Sequence, residues 1–196
     1  MTEDLQDCTL VVVDAPVEHE MKIPVPGLDG VRQRLGALGA RILHARADEE
    51  NWVLDDEGRR LAATGTLLRV RRYGDAALLT SKGPARFESG VKSRIEIECP
   101  VADVDSILSI LAAVGLGVVR RYQKRREAWE IDGVTVALDE TPMGPFVELE
   151  GPPERLARLA GSLGLRVEHA VHASYLALWE EFRRTHPALG ENMLFP

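Results

Sequence analysis

Glu18, Glu20 and Lys22 stand at every second position in VEHEMKIPV, residues 17–25. On a strand, alternate residues share a face, so two carboxylates and an ammonium point the same way. The period returns in four more segments. LLRVRR carries Arg69 and Arg71, SRIEIE carries Arg94, Glu96 and Glu98, QKRREAWEI carries Lys124 and Arg126, and FVELEG carries Glu148 and Glu150. Lys82 ends a further apolar run, ALLTSKG. Arg and Lys clusters hold phosphate oxygens, Arg through a planar fork and Lys as a point charge. Gathered carboxylates repel one another unless a cation lies between them, and hard cations such as Mg²⁺ or Mn²⁺ take oxygen ligands. Both clusters together suit a metal–polyphosphate site that works by positioning and by stabilising charge during phosphoryl transfer. The chain has neither Gly-x4-Gly-Lys-Ser/Thr nor Gly-x-Gly-x-x-Gly, so such a site has to be built from side chains.

Those side chains need a sheet with one charged and one apolar face. Helical spacing between the strands supplies cover for the apolar face. DGVRQRLGALG places Val31, Leu35 and Leu38 together, VDSILSILAAVG places Val104, Ile107, Leu108 and Leu111, and PPERLARLAGSLG places Leu156, Leu159 and Leu163. ASYLALWEEFRR is a fourth helix. Asp29 and Asp103 suit helix starts, Gly39, Gly115 and Gly164 suit ends, and turns fall at 73–75, 82–84, 132–133 and 142–145. A Glu-x-Glu strand followed by a helix ending in Gly recurs, which reads as a tandem strand–helix plan. Closing the sheet into a barrel puts the charges inside and the helices outside. A barrel of about eight strands can hold one small ligand.

The chain has 196 residues, 45% of them hydrophobic, enough for one domain with a core. A net charge of -7 argues against a general nucleic-acid partner. No stretch approaches the ~20 apolar residues of a membrane span, and the acidic N-terminus does not read as a secretory signal. Cys8 and Cys99 are the two cysteines, and reduced thiols in a cytoplasmic protein are the expectation. Residues 1–15 read as an N-terminal appendage, 16–184 as a single domain and 185–196 as a C-terminal tail.

The ordered motifs resemble the CYTH superfamily, the triphosphate tunnel metalloenzymes. Glu18-x-Glu20-x-Lys22 resembles its opening signature. LLRVR, LLTSKGP, SRIEIE, Lys124-x-Arg126-x-x-Trp129 and VALDETPMGPFVELEG follow in order, over about residues 17–180. The resemblance implies an α+β fold, an eight-stranded antiparallel β-barrel forming a tunnel with helices packed outside. It implies that Lys22, Arg69, Arg71, Lys82, Arg94, Lys124 and Arg126 grip a triphosphate. Glu18, Glu20 and Glu150 would hold Mg²⁺ or Mn²⁺, with Asp139 and Glu148 near a second metal or the attacking water. Lys22, Glu20, Glu148 and Asp139 form the catalytic group, and Glu96 and Glu98 line the tunnel. One departure is Asn51-Trp52-Val53-Leu54-Asp55, where the family often has a Tyr-Phe-Asp-type strand; EENWVLDDEG resembles the branch labelled class IV adenylyl cyclase-like.

The activity expected is a triphosphatase acting on inorganic triphosphate or a small organic triphosphate such as thiamine triphosphate, because no adenine-recognition motif is present. Class IV adenylyl cyclase is the second reading and a non-catalytic triphosphate-binding protein the third. The partners expected are the small-molecule triphosphate and, for a homodimer rather than a monomer, a second copy. Arg72 and Arg125 break the alternation and read as outward. His169-x-x-His172 reads as helix surface. Trp52, Trp129 and Trp179 read as packing residues, one at the rim being able to stack on a base or thiazolium ring. Ser174 and Tyr175 read equally as a helix cap or as residues reaching the substrate mouth.

Overall fold

The alternating segments are strands, and the sheet they form closes on itself. The computed structural model describes residues 17–196. The expected appendage at 1–15, and Cys8 within it, lies outside the described residues. In chain order the elements are β1 (Val17–Pro24), α1 (Asp29–Ala37), β2 (Arg41–Asp55), α2 (Arg60–Ala63), β3 (Leu67–Tyr73), β4 (Ala76–Lys82), β5 (Arg86–Glu88) and β6 (Val91–Pro100). They continue with α3 (Val104–Ala113), β7 (Gly117–Ile131), β8 (Val134–Thr141), β9 (Gly144–Glu150), α4 (Pro153–Ser162) and α5 (Tyr175–Arg184). The ring order is β1-β9-β8-β7-β2-β3-β4-β6, and β6 pairs back onto β1, giving a closed eight-stranded antiparallel barrel. β5 pairs with β6 and stands outside the ring.

On β1, β8 and β9 the apolar alternates face outward under the helices, whereas Ile95 and Ile97 of β6 are exposed. Met21, Ile23, Val136, Leu138, Val147 and Leu149 are buried with Val31 and Leu35 of α1 and Leu156 and Leu159 of α4. Burying a Leu or Ile side chain contributes roughly 1.5–3 kcal/mol, so this layer holds the β8-β9-β1 wall in place. The expected turns fall where the glycines sit. Asp132 and Gly133 have φ of 52° and 70°, the left-handed pair that a tight hairpin between β7 and β8 requires. α3 departs from expectation. Its apolar side is only half-buried, and Ile110 and Val114 are exposed, because the helix lies against the barrel without a second layer over it.

α2 shows no hydrophobic period and is held by one side chain instead. Asp55 Oδ1 accepts from the backbone N–H groups of Asp56 and Leu61, and Oδ2 from that of Ala62. Asp55 therefore ties the end of β2 to α2 and does not line the barrel interior. Replacing it with alanine is expected to cost about 1–2 kcal/mol, the size of a lost helix cap, read as a lower urea midpoint with unchanged slope.

β7 is longer than its partner β8, which meets it only from Arg125 onward. The C-terminal tail covers part of the remainder. Gln123 donates its N–H to the Met193 carbonyl at 2.8 Å, and Met193 donates to Arg121 at 3.1 Å. The Met193 side chain is buried among Val53, Tyr122, Phe146, Tyr175 and Trp179.

Candidate functional site

The three Glu-x-Glu pairs lie on neighbouring strands. β6, β1 and β9 carry them, with Glu20 directly opposite Glu150 and Glu18 opposite Arg94, and Lys22, Lys92 and Arg94 stand on the same wall. Across the ring, β7 and β3 carry Lys124, Arg126, Arg69 and Arg71, with Glu49 on β2 between them. Side chains from both walls meet in a cavity of about 150 Å³, lined by eight cationic side chains and six carboxylates. Every residue the sequence placed at the site lines this cavity except Asp139, which lies directly behind it and is fully buried.

The charges largely neutralise one another. Lys22 Nζ lies 3.1 Å from Glu148 and 3.9 Å from Glu20. Lys82 bridges Glu18 and Glu96, each at 2.8 Å, and Lys92 holds Glu20 at 2.6 Å. Arg71 pairs with Glu98 at 3.2 Å. Asp139 is the most heavily engaged carboxylate. It accepts from Lys124 at 2.9 Å, from Arg126 at 2.7 and 2.6 Å, and from the Tyr175 hydroxyl at 2.7 Å. With both oxygens taken, it fixes the two cations of β7 from behind. Arg126 also binds Glu148.

Arg69 is different. It is 7% exposed, and its hydrogen bond goes to the Tyr122 hydroxyl at 2.8 Å. Among the described residues it is the one lining cation with no carboxylate within 4 Å, and its buried Nε has no partner. Burying a guanidinium with no contacting anion is costly, although the charges of Glu49 and Glu96 nearby favour its protonated form.

On the acidic wall the imbalance runs the other way. Burial raises the Glu18 carboxyl, but Lys82, Arg94 and a hydrogen bond from Glu96 outweigh it and hold the group at about 2. Glu96 is pushed up to about 7 by burial and by Glu18, against the pull of Lys82, so this pair shares one proton near neutrality. Glu150 belongs to an exposed residue whose carboxyl nevertheless faces the wall, and burial with the Glu18 charge pushes it up. Carboxylates raised by one another are short of positive charge, and their oxygen donors fit a hard divalent cation. As the side chains stand, no three acidic, His or Cys groups among the described residues converge on one metal position, because Lys82 and Lys92 lie between the carboxylates. Glu148 is held well below its usual value, with Lys22, Lys124 and Arg126 overcoming its burial.

Three contributors escaped the sequence reading, and a fourth, Tyr175, was left between two readings. Lys92 continues the alternation of Arg94, Glu96 and Glu98 by one step, and Tyr122 that of Lys124 and Arg126, so parity could have found both. Glu49 is buried behind Lys124 and Arg126, at 3.5 and 3.8 Å, but it sits in the acidic run DEEN, where no apolar alternates reveal a face. Tyr175 comes from the first turn of α5, with Ser174 capping the helix through the Ala177 N–H, so both of its open readings hold in part. None of the three tryptophans lines the cavity. Trp129 and Trp179 are buried in the two apolar clusters, and Trp52 lies outside beneath Arg72 and Arg121. Arg72 pairs with Glu50 and Arg125 stacks on Phe195, both away from the cavity. His172 is exposed in the segment before α5, not on a helix.

Comparison with known proteins places this geometry. The profile described as the CYTH domain matches residues 17–160. A Methanocaldococcus jannaschii protein provisionally named an adenylate cyclase is 24% identical over 173 residues, covering 83% of this chain and 98% of its own length. Among solved structures, a Vibrio parahaemolyticus protein with the same provisional name superposes with a TM-score of 0.77 at 22% identity, over 85% of this chain and 99% of that one. A Pyrococcus horikoshii protein gives 0.72 at 28% identity, over 85% and 99%. A protein from Hippeastrum, described as an adenylyl cyclase candidate with a dominant triphosphatase activity, gives 0.62 at 19% identity, over 85% and 95%.

Proposed function

The chain belongs to the CYTH family, and from that premise we propose that it is a metal-dependent phosphohydrolase. Its substrate is inorganic triphosphate or a small organic triphosphate such as thiamine triphosphate. The observation that carries this reading is Arg69, a buried guanidinium on the basic wall with no carboxylate of its own. Across the ring, burial and the Glu18 charge push the Glu96 and Glu150 carboxyls up, so the cavity suits an anion on one side and a cation on the other.

In this reading Lys22, Arg69, Arg71, Lys82, Arg94, Lys124 and Arg126 bind phosphate oxygens. Glu18, Glu20 and Glu150 would hold Mg²⁺ or Mn²⁺, which supplies charge neutralisation at the phosphoryl oxygens and activation of water. Lys82 and Lys92 turn from carboxylate to phosphate as the substrate seats. Asp139 and Glu49 orient Lys124 and Arg126 from behind, which favours a positioning role for Asp139 over direct metal ligation. Glu96 lines the same wall and shares Lys82 with Glu18. The cavity volume of about 150 Å³ is below the ~300 Å³ where pockets for drug-sized ligands begin, so it fits a phosphate chain rather than a whole nucleotide.

The cyclase names of the Methanocaldococcus and Vibrio relatives keep a second reading in view, in which a ribose hydroxyl attacks the alpha phosphorus of ATP. Phosphorus NMR of the products separates the two. With tripolyphosphate and ATP supplied separately, each with Mg²⁺ and with Mn²⁺, the expected products are orthophosphate and diphosphate, formed fastest from tripolyphosphate. Cyclic AMP with pyrophosphate from ATP would establish the cyclase instead. Metal-independent binding without turnover would leave a binding protein.

A further inference from the structure

Beyond the closed ring, β5 pairs with β6 and continues its inner face. Phe87 of β5 pairs directly with Lys92, whose ammonium reaches Glu20 inside the cavity, so Phe87 is presented on the same face one step outward. Across from it runs the segment before α5. Val171 bridges to Lys22 there, and Ser174 lines the cavity. His172, between them in sequence, meets the Phe87 ring edge-on with centroids 5.1 Å apart. Phe87 is nevertheless 51% exposed. It is a large aromatic side chain on a three-residue strand, outside both apolar clusters and one strand over from Lys92 of the cavity lining.

We propose that Phe87 and His172 form the contact surface for the planar heteroaromatic group of an organic triphosphate. The phosphate chain lies along Lys92, Lys22 and Arg69, and the ring lies outside the barrel against Phe87. This rests on the triphosphate reading above and adds the direction in which the substrate lies. It also reconciles a cavity too small for a nucleotide with an organic substrate, since the ring stays at the rim. A neutral nucleobase and a cationic thiazolium both present the required π-face.

The test is calorimetric binding of tripolyphosphate, ATP and thiamine triphosphate in Mg²⁺ to the full chain and to F87L, F87A and F87Y. Base-on-aromatic stacking predicts that F87L and F87A lower the affinity for each ring-bearing ligand, relative to tripolyphosphate, by about tenfold. F87Y keeps the ratio. Loss with ATP alone identifies a nucleobase site, and loss with thiamine triphosphate alone a thiazolium site. An unchanged ratio in both F87L and F87A, or an equal fall for all three ligands, overturns the proposal. Hydrolysis by the unaltered protein is followed separately. A Phe87-dependent ratio without any hydrolysis would overturn the phosphohydrolase reading and leave the ring site standing.

Discussion

Arg69→Met is expected to leave the protein at least as heat-stable as before, or more so, while lowering its affinity for Mg²⁺-tripolyphosphate by about 100-fold or more. The two effects have one origin. The guanidinium is buried beside β2 with a single neutral hydrogen-bond partner, Tyr122. Methionine fills similar volume without a charge to desolvate, and such replacements are often neutral or stabilising. The same replacement removes the forked donor that a phosphate would meet. Differential scanning calorimetry and isothermal titration read the two halves independently. A marked fall in melting temperature with unchanged affinity would show that Arg69 is structural and would remove the main support for the anion site.

Asp139→Asn acts in the opposite sense. The carboxylate is fully buried and compensates Lys124 and Arg126 together, so neutralising it leaves two buried cations with only Glu49 and Glu148 to share. Breaking buried pairs in this way costs about 3–5 kcal/mol. The urea midpoint is expected to drop accordingly. Tripolyphosphate affinity is expected to fall, because Lys124 and Arg126 lose the group that aims them. Mg²⁺ affinity measured without substrate separates this role from metal ligation. It stays near the wild-type value if Asp139 positions the cations, and it falls at least tenfold if Asp139 holds the metal.

Much of this site was legible because a strand's period of two is so unforgiving. Glu18, Glu20 and Lys22 could share a face only if their neighbours His19, Met21 and Ile23 shared the other, and Met21 and Ile23 are indeed buried under the helices. The same parity put Arg72 and Arg125 outside. What parity does not carry is which strands become neighbours. That the three Glu-x-Glu strands stand side by side, facing β7, β2 and β3, is a property of ring closure between residues far apart in the chain. Glu49 was hidden because three consecutive acids give no phase. Tyr175 stayed undecided because its reach into the cavity depends on how α5 docks, and helical spacing reports a helix's own faces, not the partner it meets. The exposed side of α3 was misjudged for the same reason: four apolar residues at the right spacing say that a face exists, not that anything covers all of it.

The tail that lies along β7 bears on the protein's behaviour at high concentration. A long strand without a neighbour on one side is a template for the strand of another molecule, and proteins suppress such self-association by capping the edge. Here the cap runs to Pro196 and is anchored by the buried Met193, its two backbone hydrogen bonds, the Asn192 side chain accepting from the Arg121 N–H, and the Phe195 N–H donating to Gln123. A chain shortened before Met193 would present the bare edge to its own copies. The edge of β7 is thus covered by residues far in sequence from the charged groups that line the cavity.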